Sequence, residues 1–309
     1  MRIFVVLNPV AGRTQPGAIR DALERNFSAD SNQLVIYETT GDEDIVVLVG
    51  EAIKDGAEQV FAAGGDGTVS AVVDGLVNSD IPLGIIPAGT SNVVAQELGI
   101  PLQVDRACKM LAGKTERRSI DAIRYGEHYY VLSVGTGLGA QAMRDTTRAN
   151  KRRFGPLAYI WAIIKLIIGI QPRTFTVIAD GEEREYHAAD IMLANVATLT
   201  RPFRWGAHIK PDDGRIDICI MRAQSIFDIF GVAWDIVVPG RTRRHRNLTY
   251  SPAYHSVNVL ADKAMPVQGD GELLGETPIE ATIVANAIKV MVPAEQTRQF
   301  PLKLPFAQN

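Results

Sequence analysis

Val60-Phe61-Ala62-Ala63-Gly64-Gly65-Asp66-Gly67-Thr68-Val69-Ser70-Ala71-Val72-Val73-Asp74-Gly75-Leu76 is the stretch that decides how this 309-residue chain is read. Its first four residues suit a short buried strand, and Val69, Val72, Val73 and Leu76 recur at i, i+3, i+4 and i+7, the spacing of one helix face. Strand, glycine turn and helix thus follow one another directly. In that arrangement unpaired backbone N–H groups and the positive end of the helix dipole face the turn, a ready site for phosphate oxygens. Gly64, Gly65 and Gly67 let a phosphate approach bare backbone. Asp66 is out of place in a simple anion site, because a carboxylate repels phosphate unless a cation bridges them or it takes a proton from an attacking hydroxyl. The competing reading is an ordinary β–α turn in which Asp66 or Thr68 caps the helix.

Moving outward, strand-like and helix-like segments alternate through roughly the first 115 residues, the pattern of a parallel α/β sheet. Ile3–Leu7 and Leu34–Tyr37 read as strands. Ile19, Ala22, Leu23 and Phe27 share one helical face, and Ile45, Leu48, Val49, Ala52 and Ile53 form another stripe that ends at Gly56. Leu83–Ile86 supplies a further strand, followed by the loop Pro87–Asn92 and a helix to about Leu98. Ligands in such sheets collect at the carboxyl ends of strands, where the loops Asn8–Gly12, Gly64–Thr68 and Pro87–Asn92 all leave. Asn8, Thr68, Thr90 and Asn92, with Thr40 as a further candidate, offer neutral donors and acceptors to phosphate or sugar, and no Walker-type lysine follows a glycine loop. Each of these residues, taken singly, also suits a cap or turn.

From about residue 125 the texture changes to strands separated by tight turns: Tyr129–Val134, Thr174–Ala179 with an Asp180-Gly181 turn, Ile191–Asn195, Ile216–Met221 and Val257–Leu260. This reads as an antiparallel β domain. Two helical stretches interrupt it, Tyr159–Ile170 and a stripe of Ile226, Ile229, Phe230, Ala233 and Val237. Arg144, Arg148, Lys151, Arg152 and Arg153 precede the first of these, and Arg241–Arg246 follows the second. Either the segment docks on anionic lipid or it is a buried helix beside a solvated charged face; it is too short to span a bilayer.

Composition narrows the classes. At 46% hydrophobic and 22% charged the chain can bury a large core and is long enough for two domains. A net charge of −3 and the absence of a basic, aromatic stripe argue against nucleic acid as a partner. Cys108 and Cys219 lie in apolar surroundings without metal or redox spacing, as expected of small core residues in a reducing cytosol. The run Met1–Leu7 reads as a first strand and not as a signal peptide, so a cytoplasmic location is expected. The five histidines show no metal-like spacing.

Gly64-Gly65-Asp66-Gly67-Thr68 resembles the nucleotide motif shared by the diacylglycerol kinase catalytic family, the NAD kinases and, more distantly, the phosphofructokinases. Asn8-Pro9-Val10-Ala11-Gly12, Pro87-Ala88-Gly89-Thr90-Ser91-Asn92 and Gly269-Asp270-Gly271-Glu272 resemble the remaining landmarks of bacterial lipid kinases and sphingosine kinases, in the same order along the chain.

The resemblance implies a Rossmann-like doubly wound parallel sheet at residues 1–124, rejoined by a C-terminal segment at about 293–309. An antiparallel β-sandwich that takes the lipid would occupy residues 125–292. It implies an ATP- and Mg²⁺-dependent kinase acting on the hydroxyl of diacylglycerol or a related lipid, with a sphingoid base as alternative acceptor. Asn8, Gly12, Thr40, Gly64, Gly65, Asp66, Gly67, Thr68, Gly89, Thr90, Asn92 and Glu272 would form the nucleotide site. Asp213, in Lys210-Pro211-Asp212-Asp213-Gly214-Arg215, would be metal-linked together with Lys210, Arg215 and the distant Asp121. Asp270 would be the general base, a role that sphingosine kinases give to the counterpart of Asp66.

A peripheral contact with the inner membrane face and a homodimer are further expectations. Two departures stand out: Ala71 and Val93 replace a glutamate and an aspartate common in bacterial relatives. They motivate a rival reading as a non-catalytic nucleotide- or lipid-binding regulator, against which the retained Asp66, Asp121, Asp213 and Asp270 speak. A NAD kinase would also show an Asn-Glu motif in its second half, which this chain lacks.

Overall fold

The computed structural model describes residues 1–12, 14–27, 33–145, 172–200, 203, 204, 206, 208–237 and 247–294. Its first part alternates β1 (Arg2–Leu7), α1 (Pro16–Phe27), β2 (Gln33–Glu38), α2 (Ile45–Lys54), β3 (Gln59–Gly64), α3 (Asp66–Leu76), β4 (Leu83–Pro87), α4 (Val93–Glu97) and α5 (Val104–Ala112). The strands pair in parallel in the order β2-β1-β3-β4. Helices cover both faces, as apolar residues on both sides of each strand require. Ile19, Leu23 and Phe27 of α1 join Cys108 and Leu111 of α5 over Ile3, Val5, Leu7 and Phe61. On the other face Val49 of α2 and Val69, Val72, Val73 and Leu76 of α3 pack on Val6, Val60, Ala62 and Ile85. Asp44 caps α2 by accepting from the Val46 and Val47 N–H groups, and Gly56, at φ +87°, turns the chain out of it. All four apolar positions of α1 and all four of α3 named from their periodicity are buried.

The second part contains β5 (Thr115–Tyr125), β6 (His128–Tyr130), β7 (Ser133–Gly137), α6 (Leu138–Asp145), β8 (Arg173–Ala179), β9 (Glu182–Ala188), β10 (Asp190–Ala194), β11 (Thr198–Thr200) and β12 (Phe203–Arg204). Then come β13 (Ile216–Met221), α7 (Ile226–Val237), β14 (Leu248–Ala253), β15 (Ser256–Ala261), β16 (Pro266–Gly269), β17 (Glu272–Glu276) and β18 (Ile279–Pro293). One antiparallel sheet runs β14-β13-β10-β7-β16-β17. It faces β15 and β8 across a core of Val134, Ile191, Leu193, Ile218, Ile220 and Val267 against Phe175, Val177, Val257 and Val259. This is a β-sandwich, so both the parallel sheet and the sandwich expected from the sequence are present.

The two parts share a sheet. β18 pairs β15 through Ile279–Thr282, pairs β5 along most of its length, and meets β4 in parallel at Val290 and Leu83. The β5–β18 register shifts between Val284 and Ile288, and Asn286 in that bulge has φ +53°. The first sheet therefore continues from the parallel strands into the sandwich without a break. It is β18 that rejoins the parallel sheet; residues 295–309, most of the segment expected to do so, lie outside the described residues, as do Tyr159–Ile170 and Arg241–Arg246.

One local expectation is corrected. Tyr129–Val134 is not one strand: β6 ends at Tyr130 and β7 begins at Ser133, because the Val131 and Leu132 N–H groups turn to a carboxylate. In α7, Phe230 of the expected stripe is 65% exposed, and Val232, outside that stripe, is buried.

Candidate active site

The glycine turn positions a helix end that has no side-chain cap. Gly65 is the N-cap of α3 and makes no side-chain cap bond, so neither Asp66 nor Thr68 caps this helix as the plain-turn reading requires. The Asp66 carboxylate instead accepts from the Val94 N–H of α4 at 3.3 Å. Burial pushes its carboxyl above the usual range, and backbone N–H groups from Asn92 to Val94 pull it back. Thr68 Oγ1 receives the Asn8 amide at 3.2 Å, which ties the β1 loop to the β3 loop.

Glycines lock the third loop against the other two. A Cβ on Gly12, at φ +64°, would stand 2.0 Å from the Ala88 carbonyl oxygen, and one on Gly89 would stand 2.4 Å from Gly65 Cα. Asn92, left-handed at φ +51°, closes that loop by donating to the Gly89 carbonyl at 2.9 Å and accepting its N–H at 3.0 Å. The structure thus brings together Asn8, Gly12, Gly64, Gly65, Asp66, Thr68, Gly89 and Asn92. Thr90, in the same loop, is exposed. Thr40 hydrogen-bonds Glu43 through both its N–H and its hydroxyl, and these bonds with the Gly41 N–H hold the Glu43 carboxyl down to about 2.

Beside this crevice lies a cleft of about 630 Å³. One wall is α3, through Gly67, Ser70, Ala71 and Asp74; the other is the β5–β6 and β16–β17 turns, with Tyr125, His128, Tyr130, Asp270 and Glu272. Glu272 reaches the first turn of α3: its Oε1 would lie 3.6 Å from a Cβ on Gly67. Asp74 bridges the walls, accepting the Tyr129 N–H at 3.1 Å and meeting His128 Nδ1 at 2.7 Å.

Asp270 sits at φ +47° in the turn between β16 and β17, with glycine on either side. Its Oδ1 accepts the Leu132 and Ser133 N–H groups and its Oδ2 the Val131 N–H, each at 2.9 Å; Oδ2 also accepts the Ser70 hydroxyl. A carboxylate has about four lone-pair sites, and all are occupied. Burial drives the Asp270 carboxyl upward, and the four donors oppose that. The neighbouring Tyr130 hydroxyl is pushed up to about 12 by burial first and then by the Asp270 charge.

The second acidic cluster joins residues far apart in the sequence. Asp121 is buried opposite the β18 bulge, accepting the Asn286 N–H at 2.8 Å and the Gly214 N–H at 2.7 Å. It fastens the crossing strand to the Asp213-Gly214 turn. Arg215 Nε lies 3.2 Å from Asp213 and 3.4 Å from Asp217, so a guanidinium already balances these carboxylates. Lys210 is exposed. Among the described residues no group of three or more His, Cys, Asp or Glu has metal-binding geometry. Asp213 Oδ1 is nevertheless buried without a partner, which fits a hard cation held by one carboxylate and otherwise by carbonyls and water.

Comparison with known proteins decides the family. Residues 2–125 match the diacylglycerol kinase catalytic domain, and residues 132–292 match the YegS C-terminal NAD kinase beta sandwich-like domain. The chain belongs to the diacylglycerol kinase catalytic-domain family. Its two matched regions together account for most of the chain, and membership makes it a kinase-type, nucleotide-using fold.

Among relatives of this diacylglycerol kinase family member, an uncharacterized protein of Synechocystis is 27% identical over 308 residues, 95% of this chain and 70% of its own length. A Staphylococcus aureus strain JH9 protein carrying the name "Putative lipid kinase" is 28% identical over 75% of this chain and 76% of its own. A crystal structure of a diacylglycerol kinase from Bacillus anthracis shares the fold at TM-score 0.77 and 20% identity, covering 96% of this chain and 98% of that one. Ser70, Asp74 and Tyr130 are cleft residues the sequence reading passed over. Ser70 and Asp74 lie on α3 off its apolar stripe, and that placement was the available signal.

Proposed function

We propose that this chain is an ATP-dependent lipid kinase that transfers the γ-phosphate to a hydroxyl of diacylglycerol or a closely related lipid. The observation that carries the reading is the adjoining of an uncapped, glycine-walled helix end and a cleft holding a buried carboxylate. The N–H groups at the start of α3 would hold phosphate oxygens, with the helix dipole favouring their charge. Bound Mg²⁺ would supply charge neutralisation to the transferring phosphate, whereas Asp213, which does not line the cleft, would hold a cation only in its own cluster with Asp121 and Gly214.

The acceptor oxygen would attack the γ-phosphorus as the bond to the ADP oxygen breaks, and its proton would pass to Asp270 Oδ2. Three of the four donors on Asp270 are backbone N–H groups fixed by the chain reversal at Val131–Ser133. Only the Ser70 hydroxyl can rotate away. The acceptor hydroxyl therefore reaches Asp270 in exchange for Ser70.

The test is phosphate transfer from labelled ATP with Mg²⁺ to mixed micelles of diacylglycerol, monoacylglycerol or sphingoid base, comparing wild type with Asp270→Asn. Product with one lipid, reduced about a hundredfold or more in the variant, supports the kinase with Asp270 as base. Equal product in both moves the base role to Asp66. No product with any lipid, although ATP·Mg²⁺ raises the melting temperature, favours the regulatory reading.

A further inference from the structure

The face of α3 that lines the cleft orders its chemistry along one line. Gly67, Ser70, Ala71 and Asp74 recur there at i, i+3, i+4 and i+7. Gly67 marks the phosphate end, Ser70 meets Asp270 one turn on, and Asp74 meets His128 one turn further. The opposite wall keeps the same order, since β6 starts at His128 and the chain just beyond it, Val131 to Ser133, holds Asp270. In-line transfer puts the body of the lipid on the side away from the nucleotide, which is towards Asp74 and His128.

Asp74 fixes how the imidazole is presented. Its Oδ1 accepts the Tyr129 N–H at 3.1 Å, and its Oδ2 meets His128 Nδ1 at 2.7 Å. A carboxylate can only accept, so Nδ1 brings the proton to that contact, and in the neutral imidazole Nε2 is left with a lone pair. The His128 side chain is 63% exposed, whereas that of Asp74 is 11% exposed. The buried partner sets the tautomer and the open one is within reach of a ligand in the cleft.

Charge and distance select what Nε2 meets. Every other charged side chain among the described residues lining the cleft is a carboxylate: Glu43, Asp44, Asp74, Glu127, Asp270 and Glu272. Such a lining repels a lipid that already bears a phosphate and favours one that brings a proton or a positive charge. Ser70 and Asp74 stand about 6 Å apart along the helix axis. Two hydrogen bonds of about 2.8 Å, one from the reacting oxygen to Asp270 and one to Nε2 from a polar group on the next carbon, cover that span.

We infer that His128, oriented by Asp74, determines lipid specificity by taking a hydrogen bond from a free hydroxyl or ammonium on the carbon beside the one that is phosphorylated. The inference rests on the kinase reading and narrows its lipid. Monoacylglycerols and sphingoid bases carry such a donor, whereas the ester at that carbon of diacylglycerol has no proton to give. The test compares four short-chain lipids as substrates with labelled ATP and Mg²⁺, under alkaline conditions that leave imidazoles neutral. They are monooctanoylglycerol acylated on an end carbon, hydroxypropyl octanoate, which is the same molecule without its middle hydroxyl, dioctanoylglycerol, and a sphingoid base. Losing the middle hydroxyl should cost wild type about tenfold in kcat/KM, the weight of one hydrogen bond. His128→Ala should bring those two lipids level, and His128→Gln, which keeps an accepting oxygen, should restore part of the difference. A residue that only ties the walls together would change both lipids alike.

Whichever of monooctanoylglycerol and the sphingoid base wild type prefers names the source of the donor. The same preference in wild type and His128→Ala overturns the inference, as does dioctanoylglycerol turned over as well as monooctanoylglycerol. Binding gives a readout that needs no turnover. In protein carrying isotope-labelled histidine, the Nε2 resonance that is missing from His128→Ala should move on adding monooctanoylglycerol and stay in place with hydroxypropyl octanoate. Movement of this kind without transfer to any lipid would sink the kinase reading and keep the His128 site. A resonance that does not move overturns the site, whether or not phosphate is transferred.

Discussion

Asp270 is held by more hydrogen bonds than a freely acting base would need, and the partner that can move is Ser70. Removing that hydroxyl in Ser70→Ala takes one donor from a buried carboxylate, so the Asp270 pKa should rise and its basic form should appear at higher pH. The acid limb of the kcat profile should then move up relative to wild type; an unmoved limb with unchanged kcat would remove Ser70 from the reaction. Asp270→Asn should also cost stability, about 1–3 kcal/mol, because an amide NH₂ would face backbone N–H groups that have lost an acceptor. Urea unfolding of the variant checks this separately from activity. At Gly12 the constraint is steric. A methyl group 2.0 Å from the Ala88 carbonyl on a left-handed residue must push the first and third loops apart, so Gly12→Ala should destabilise by roughly 2–3 kcal/mol and weaken ATP binding, read by calorimetric titration.

Among the elements, α6 carries a pH-dependent contact. Asp190 accepts the Gly139 N–H at 3.2 Å in the first turn of α6, and burial raises its carboxyl from 3.8 to about 7. A raised folded-state value means the protonated form is favoured by folding. The stability it contributes is therefore full below about pH 4 and is lost as pH rises towards 7. Asp190→Asn, uncharged throughout, should flatten that slope, so wild type should lose ground to the variant between these limits in chemical denaturation; parallel curves would contradict it.

Elements with a clean period were legible in the sequence, as with Ile19, Ala22, Leu23 and Phe27 of α1 or the β3–α3 unit, because local pattern and tertiary burial agree there. Where long-range bonds decide, reading fails. The break at Val131–Leu132 depends on a carboxylate at residue 270, which no local pattern signals. The landmark loops were legible through their glycines, whereas Ser70 became visible only once α3 and the β16–β17 turn stood together.

For the whole molecule, the shared sheet matters more than the boundary between its parts. β18 completes both the parallel sheet and the sandwich, Asp121 fastens its bulge, and Asn195 donates to the Asp121 and Val131 carbonyls at 2.9 and 3.0 Å. Contacts of this density should couple the two parts into one transition. Differential scanning calorimetry is expected to show a single endotherm, and residues 1–124 expressed alone should melt without cooperativity. Two separate endotherms would mean that β18 joins bodies that are stable apart.

That crossing strand also sets the timetable on which the protein takes shape. Thr115 finds its partner at Pro293, so a nascent chain emerging from the ribosome must leave the edges at Leu83 and Ile120 unpaired with β18 while the entire sandwich sequence is made. The kinase-type half cannot mature ahead of the rest. An edge left open for that long is expected to be the point at which the growing chain is most exposed to wrong pairing.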